Sequence, residues 1–381
     1  MASQVLGDNM DIHTGGEDLK FPHHDNEMAQ SSAYYSRPTC NEYHQQWVNY
    51  WFHAGHLHIN NLKMSKSLKN FITIREALEM CSMRQIRLLF LLQSWHGKMN
   101  YSNDSITETQ TKERNLSEFF LLVNALNRKY NAEQSIAMTE YLPTNENDAK
   151  LNEKVMERQL DIDGALRDNF DYVRATQLLF DLISDINTYL KRIGDEDKPN
   201  IFLLNKTASF INDMLKIFGV IAQNETNFLG AKQIENEKYL QPILDVITAY
   251  RADLTILFRN KTAWKDYQGV VQSYQAQIAS LDPSKCEEKK PEVAQNESVT
   301  DSEIVQRRKH LLLALNTFNQ QIQALTSNIN QDASKRLIQM TDELRDVILP
   351  KYGVKLEDVE GGKGSIWKLY DPQVLLEILS S

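Results

Sequence analysis

The chain has 381 residues, 41% of them hydrophobic and 24% charged, with 51 acidic against 42 basic side chains and a formal net charge of −9. That length supports two or three domains with a sizeable core, and the acidic balance argues against indiscriminate nucleic-acid binding while leaving room for RNA on a local basic face. No run reaches the roughly eighteen apolar residues of a membrane span, no basic-then-apolar leader opens the chain, and three cysteines without pair spacing, Cys40, Cys81 and Cys286, fit a reducing compartment rather than a disulfide framework.

Residues 1–60 read as mixed α/β. Pro22 is placed to be a first helical residue, because its fixed φ and missing N–H suit the first turn, and the helix runs on through Gln30. Trp47 to Phe52 is an aromatic-rich strand candidate, His56 to Ile59 alternates like a second, and Asn60-Asn61 is a turn signal. A helical pattern begins at Ile72 to Leu78, and Arg84 to Leu92 carries a broad apolar face. Residues 105–130 predict a long amphipathic helix ending near Asn131, and the polar, Pro-containing stretch 136–149 predicts a linker.

From residue 150 the helical period dominates. Residues 151–168, 171–192 and 200–222 each suit one helix, with breaks at Asp168-Asn169, Gly194 to Pro199 and Gly219. Two further helices are predicted over 237–280 and 303–348. Between them, 281–302 is rich in Pro, Lys and Glu without apolar periodicity and reads as disordered. No internal repeat is evident.

Charge is unevenly spread. Residues 1–100 hold nine basic and nine acidic side chains and eight of the nine histidines, so the negative balance lies in the remainder. A neutral, histidine-rich segment followed by an acidic one reads as a chemical site followed by a scaffold. Within that segment, Lys63-Met64-Ser65-Lys66-Ser67 puts two mobile ammonium groups on a loop, which suits a phosphate chain. A lysine pair alone is more often a solvated loop. His23 and Glu27 lie four apart and share a helix face, so a ring nitrogen and a carboxylate oxygen there can hold one cation, as in other i, i+4 metal pairs. From spacing alone a surface His–Glu pair is the commoner outcome.

Residues 11–30, Asp-Ile-His-Thr-Gly-Gly-Glu-Asp-Leu-Lys-Phe-Pro-His-His-Asp-Asn-Glu-Met-Ala-Gln, taken with Lys63 to Ser67, resemble the carboxy-terminal half of a class I aminoacyl-tRNA synthetase catalytic domain. The nearest pattern is that of the cysteinyl-tRNA synthetases of the eukaryotic cytosolic type. The resemblance is close over the first hundred residues, resumes at 150–222, and resumes again at 336–370, where Leu344 to Pro350 and Leu356-Glu357-Asp358 are similar to the family's C-terminal segment.

The resemblance implies an α/β fold followed by an all-α part. Residues 1–60 would be the remainder of the Rossmann-type catalytic domain and 61–135 the Lys-Met-Ser-Lys-Ser loop with connecting helices. A helical bundle would occupy 150–258, a helical-hairpin insertion 259–332 with its loop at 281–302, and a tRNA-binding segment 333–381. It implies Lys66 and Lys63 as catalytic, phosphate-facing cations, with Ser65 and Ser67 shaping the loop and Met64 anchoring it. Gly15, Gly16 and Asp18 would sit by ATP, with Asp18 accepting from ribose hydroxyls, and His13 and His24 would crowd the amino-acid pocket. His23 and Glu27 would be two of four Zn²⁺ ligands. Zinc would separate cysteine from serine, because it binds thiolate far better than hydroxyl and a shape-based pocket discriminates such analogues modestly.

On the tRNA side it implies Arg345, Lys351 and Lys355 as phosphate contacts, with stacking by Tyr352, Trp367 or Tyr370 on unpaired bases. The run Arg307-Arg308-Lys309-His310 reads as a solvated helix face. The expected substrates are Mg-ATP, L-cysteine and tRNA(Cys), in the cytoplasm.

The sequence departs from the family pattern in two respects. The two cysteine ligands of the zinc site and the His-Ile-Gly-His type signature are not present, and Cys40 and Cys81 do not match the family's motifs. The expectation is a fragment or short form of a cysteine–tRNA ligase, inactive alone, poorly soluble because a half Rossmann sheet leaves an open strand edge and an uncovered apolar face. The alternatives are a non-catalytic tRNA-binding or regulatory short isoform and a ligase joining cysteine to an amino-sugar, which would not need the tRNA-reading end.

Overall fold

The structure is a computed structural model that describes residues 2–35, 46–64, 70–131, 145–193, 198–225, 227–259, 267–281, 300–325, 331–358 and 364–380. Lys66 with Ser65 and Ser67, Cys40, Cys286, residues 136–144 of the predicted linker and 282–299 of the predicted disordered loop lie outside the described residues. The chain divides into two units. The first takes Met1–Leu116, Met156–Leu182 and Lys216–Val220, and the second takes Ser117–Val155, Ile183–Leu215 and Ile221–Ser381.

The first unit is α/β. After a short helix α1 (Ala2–Leu6), strand β1 (Met10–Gly16) pairs in parallel with β2 (Val48–Ala54), in a register that sets His13 opposite Trp51 and Gly15 opposite His53. Met10, Val48 and Trp47 are buried together and pack against Trp51, while Ile12 and its register partner Tyr50, farther along the same face as Met10 and Val48, are exposed.

Between the two strands the chain makes a π-helical turn, Lys20–His24, and then helix α2 (Asp25–Tyr35). Phe21 is extended, with φ −141° and ψ 133°, so helical geometry resumes at Pro22 and continues five residues past the predicted end at Gln30.

A second sheet follows. Strand β3 (Leu57–Ile59) pairs antiparallel with β4 (Leu62–Lys63) and parallel with β5 (Met99–Tyr101). Asn60 and Asn61 turn the β3–β4 hairpin with φ of 49° and 65°, the left-handed pair that a two-residue hairpin loop demands and that asparagine tolerates. Helix α3 (Ile74–Met80) starts two residues later than its pattern predicts, because Thr73 and Glu76 form a reciprocal capping box. Ser82 and Gln85 do the same for α4 (Met83–Leu91). Cys81, between the two helices, is buried, and burial pushes its thiol pKa up, so it fills space as a protonated side chain.

Long helices carry the rest: α5 (Asn103–Asn131), α6 (Glu146–Arg167), α7 (Tyr172–Ile193) and α8 (Ile201–Ile217). Residues 146–149 of the predicted linker are therefore helix. In the second unit Asp148 is fully buried near the start of α6. Tyr189 of α7 donates its hydroxyl to Asp148 Oδ1 at 2.6 Å and accepts from the Asn200 amide at 2.9 Å, ahead of α8. Burial, with the Asp148 carboxylate behind it, drives the Tyr189 pKa well above its ordinary value. Tyr189→Phe leaves a buried carboxylate short of a donor and is expected to cost about 1–3 kcal/mol, read as a lower midpoint in urea unfolding with an unchanged m-value.

The predicted helix 237–280 is two helices, α9 (Ala231–Arg259) and α10 (Tyr267–Ser280), and 303–348 is likewise divided. Helix α11 (Thr300–Leu325) is followed by α12 (Gln331–Glu343), a π-helical turn Leu344–Ile348 and a 3₁₀ turn Leu349–Tyr352. The apolar spacing of these runs reads as continuous because all four helices bury faces in one core. Leu240, Ile247, Tyr250, Tyr267, Val271, Leu311, Phe318, Leu337 and Leu344 belong to that core. The Tyr267 hydroxyl donates to the Ile322 carbonyl, so the start of α10 meets the end of α11 and the pair runs antiparallel.

A terminal hairpin of β6 (Val354–Asp358) and β7 (Ser365–Leu369) buries Val354, Leu356, Trp367 and Leu369 in the same core, and α13 (Pro372–Ser380) closes the unit. No helix among the described residues is long and apolar enough to cross a membrane.

Candidate active site

Four histidines and a carboxylate converge at the β1–β2 pair. β1 supplies His13, the π-helical turn supplies His23 and His24, the first turn of α2 supplies Glu27, and β2 supplies His53. Glu27 serves two rings: Oε2 lies 2.7 Å from His13 Nε2 and Oε1 lies 3.3 Å from His23 Nε2. His24 is buried, and its Nδ1 is 2.9 Å from His53 Nε2. Trp51 packs against His13 and His24, each at 4.9 Å between ring centroids, and stacks on His53.

Burial lowers the His24 pKa, the charge on His13 lowers it further, and Glu27 works the other way. The lowered value favours the neutral ring at pH 7, the form that ligates metals. With Nδ1 engaged by His53, Nε2 is the nitrogen that remains, and the neighbour across a hydrogen bond decides which tautomer is held.

Gly15 has a physical reason to be glycine here. A Cβ on it would lie 2.5 Å from His24 Cε1 and 2.9 Å from His24 Nε2. The predicted close backbone approach is thus taken up by a side chain of the site itself. At Gly16 a Cβ would meet Asp18 Oδ1 at 2.6 Å.

Donor atoms of His13, His24 and Glu27 all lie within 4.8 Å of one another. Two imidazoles and a carboxylate are a donor set that suits a borderline cation such as Zn²⁺. The predicted pair, His23 and Glu27, is in contact, but His23 is 59% exposed and stands at the other oxygen of Glu27. Sequence spacing pointed to His23 and missed His53. Strand alternation carried the missing signal, because Trp51 and His53 share a face of β2.

Lys63, at the end of the β3–β4 hairpin, sets its ammonium 3.2 Å from His56 Nε2 and 3.8 Å from Asp18 Oδ2. The two predicted ATP-side residues Asp18 and Lys63 therefore face each other, with His56, which the sequence did not single out, between them at 3.9 Å from Asp18. Nothing is described for Lys66.

In the second unit the three predicted phosphate-contacting residues have different surroundings. Arg345 is spent on Asp346 at 2.6 Å and on Asp358 at 2.7 Å, with Asp342 at 3.4 Å. Lys355 pairs with Glu357 at 3.0 Å. Lys351 is exposed and has no carboxylate partner among the described residues. Trp367 and Tyr370 are 4% and 7% exposed. Their stacking on bases is corrected, since the Trp367 ring lies against the Arg128 guanidinium and its Nε1 donates to Asp245. The solvated reading of the basic run is also corrected at two positions. Arg308 is buried over the Tyr239 ring, and Arg307 donates to the Tyr352 and Tyr370 carbonyls at 2.6 and 2.8 Å.

Residues 1–111 match the family model described as the tRNA synthetases class I (C) catalytic domain. Over its whole length the chain is similar to cytoplasmic cysteine–tRNA ligases. That of Xenopus laevis is 33% identical over 383 residues, covering 99% of this chain, and that of Homo sapiens is 32% identical over 385 residues, again covering 99%. The chain belongs to the cysteine–tRNA ligase family. It spans 40% of the length of those two relatives. The Drosophila melanogaster member is 41% identical over 222 residues, 58% of this chain and 28% of its own. Among solved structures, a LeuRS–tRNA–LeuAMS ternary complex from Agrobacterium radiobacter K84 overlaps with a TM-score of 0.43 at 13% identity, covering 55% of this chain and 25% of that one.

Proposed function

We propose that the chain serves cysteine–tRNA ligation, in which ATP, L-cysteine and tRNA(Cys) give cysteinyl-tRNA(Cys), AMP and diphosphate, in the cytoplasm. The observation that carries this reading is the gathering of His13, His24 and Glu27 donor atoms within 4.8 Å, in the segment that matches the class I catalytic model.

Each group has a chemical part. His13, His24 and Glu27, with His23 at the second Glu27 oxygen, would hold Zn²⁺, which when bound supplies a preference for thiolate over hydroxyl. In the first half-reaction a cysteine carboxylate oxygen attacks the α-phosphorus of Mg-ATP. The new C–O–P linkage forms as the bond to the leaving diphosphate breaks, and negative charge gathers on the phosphates. Fixed cations are worth most at that point. Lys66 and Lys63 are assigned there, and a polyphosphate would draw the Lys63 ammonium away from Asp18 and His56. Gly15 and Gly16 keep the β1 end open for His24 and Asp18, and Asp18 is assigned to the ribose hydroxyls. The acceptor tRNA would meet Lys351 first. Arg345 and Lys355 would have to exchange a carboxylate for a phosphate to take part.

Cysteine-dependent pyrophosphate exchange tests the reading. The purified 381-residue chain is expected to bind tRNA(Cys) weakly and to show no exchange above a no-enzyme blank, because the family's two zinc cysteines and its His-Ile-Gly-His type signature are not in this sequence. Exchange by the chain alone would show that adenylate forms without those motifs and refute their being required here. Failure to prefer tRNA(Cys) over a non-cognate transcript would refute the tRNA role.

A further inference from the structure

The helices α10 and α11 take no part in the chemistry above, and their surface is unlike the rest of the chain. None of the 14 residues of α10 is charged, and neither is any residue from Leu311 to Leu325, the second half of α11. The chain as a whole is 24% charged, with a net charge of −9. In sequence, charge stops at Lys265-Asp266 ahead of α10, resumes at Asp282 after it, and stops again at Lys309.

Burial does not account for the lack of charge. Tyr267, Val271, Tyr274 and Ile278 of α10 face the core, and α11 repeats the same four-three-four spacing from Leu311 to Ile322. The positions between them are mostly exposed and carry amides or small side chains. Gln268, Gln272 and Gln277 are exposed on α10, and Asn316, Gln320 and Gln321 on α11. Leu313, 64% exposed, adds an apolar side chain to the same run. Between the two helices the amides already bond to one another, Gln323 Nε2 donating to Gln275 Oε1 at 3.1 Å.

A helix face left in water ordinarily carries charges of both signs, whereas the centre of a protein–protein contact is depleted of them. An amide both donates and accepts, so a face built of amides is complementary to a copy of itself, as a two-fold contact between identical surfaces requires. Copies of a chain with a net charge of −9 repel, and a charge-free face is where they meet with the least repulsion. Area sets the strength of such a contact. At 1.5 Å per residue α10 gives a face about 21 Å long, and two adjacent helices give about 20 Å of width, so the footprint is about 400 Å², against roughly 800 Å² per partner in a standard stable interface. The pairing is therefore weak and dependent on concentration.

We propose that α10 and α11 form a self-docking surface through which two copies of this chain pair, helical hairpin against helical hairpin. This goes beyond the proposed function and does not depend on it, and it assigns the segment predicted as an insertion to assembly.

The test is sedimentation velocity of the full chain from about 2 to 200 µM, at 50 and 500 mM KCl. The unaltered chain is expected to pass from monomer to dimer across that range and to associate as well or better at high salt, because screening removes repulsion and no ion pair is lost. Gln272→Glu/Gln320→Glu sets like charges across the pair and is expected to weaken association at least about tenfold at 50 mM KCl, and Gln272→Lys/Gln320→Lys is expected to do the same. An equimolar mixture of the two variants is expected to regain the dimer, and circular dichroism checks that each is folded.

A monomer at every concentration overturns the proposal. A dimer that both variants retain places the contact elsewhere and overturns it too. A dimer that dissociates at 500 mM KCl marks an interface of ion pairs and overturns the charge-free face. Association that grows past the dimer without a plateau overturns the closed pair, and folded variants that stay monomeric when mixed overturn the hairpin-to-hairpin arrangement.

Discussion

Arg251→Met is expected to destabilise the second unit by about 3 kcal/mol, the largest effect on stability that the structure predicts. Arg251 is 4% exposed on α9 and donates to both oxygens of Asp358 on β6, to Ser365 Oγ at 3.0 Å and to the Thr341 carbonyl at 3.2 Å. One guanidinium thereby joins α9, α12 and both strands of the terminal hairpin. Truncating one partner of a buried pair typically costs about 3–5 kcal/mol, because the other charge is stranded. Here the lower end applies, since Asp358 is 43% exposed and keeps Arg345 at 2.7 Å.

The pH dependence follows with a definite sign. Burial opposes the Asp358 carboxylate, but hydrogen bonds from Arg251, Ser365 and Arg345 outweigh it and bring its pKa down to about 2. A depressed carboxylate pKa contributes stability that is fully present above its unfolded value near about 4 and is lost as pH falls through the folded one. Urea midpoints of the unaltered chain should therefore decline between about pH 4 and 2, and Arg251→Met should decline less steeply over that window. Parallel slopes in the two proteins would remove Arg251 as the cause.

Glu27→Gln is expected to lower zinc affinity at least about 100-fold, beyond the 10- to 100-fold usual for outer partners of a ligand, measured by competition with a chromophoric chelator. Glu27 is the one anionic donor in the His13, His24 and Glu27 group among the described residues, with Oε2 at His13 and Oε1 at His23. An amide keeps its shape and removes its charge, and an imidazole donor carries no negative charge to replace it. The same titration on His23→Gln and His24→Gln separates two arrangements. A larger loss for His24→Gln supports the compact group with His13, whereas a larger loss for His23→Gln restores the i, i+4 pair. Unchanged affinity in Glu27→Gln would remove the metal site altogether.

Much of the first unit was legible because its signals are local. Asn60-Asn61 announces a left-handed turn, and β3 before it falls where alternation puts it, whereas β4 after it is too short to show a pattern. The helical runs after residue 150 have the right period and nearly the right ends. Long-range pairing was less visible. His53 is 29 residues from His24, and no spacing rule connects them; only the register of two parallel strands does. Arg307 and Arg308 looked like a solvated run because composition carries no sign of the carbonyls that receive them. Trp367 and Tyr370 were read as exposed for the same reason, since an aromatic residue near lysines has one composition whether it covers a core or greets a ligand. The division of these runs into α9 with α10 and α11 with α12 escaped notice because heptad-like spacing persisted across all four helices.

Arg307's grip on two main-chain oxygens couples α11 to the strands that follow it. α10 and α11 share their apolar filling with β6 and β7, and Arg307 occupies acceptors at the turn before β6 and at the exit of β7. Trimming residues 259–332 would thus do more than shorten the polypeptide. It would bare Val354 and Leu369 and orphan two oxygens, so the hairpin leans on the two helices ahead of it.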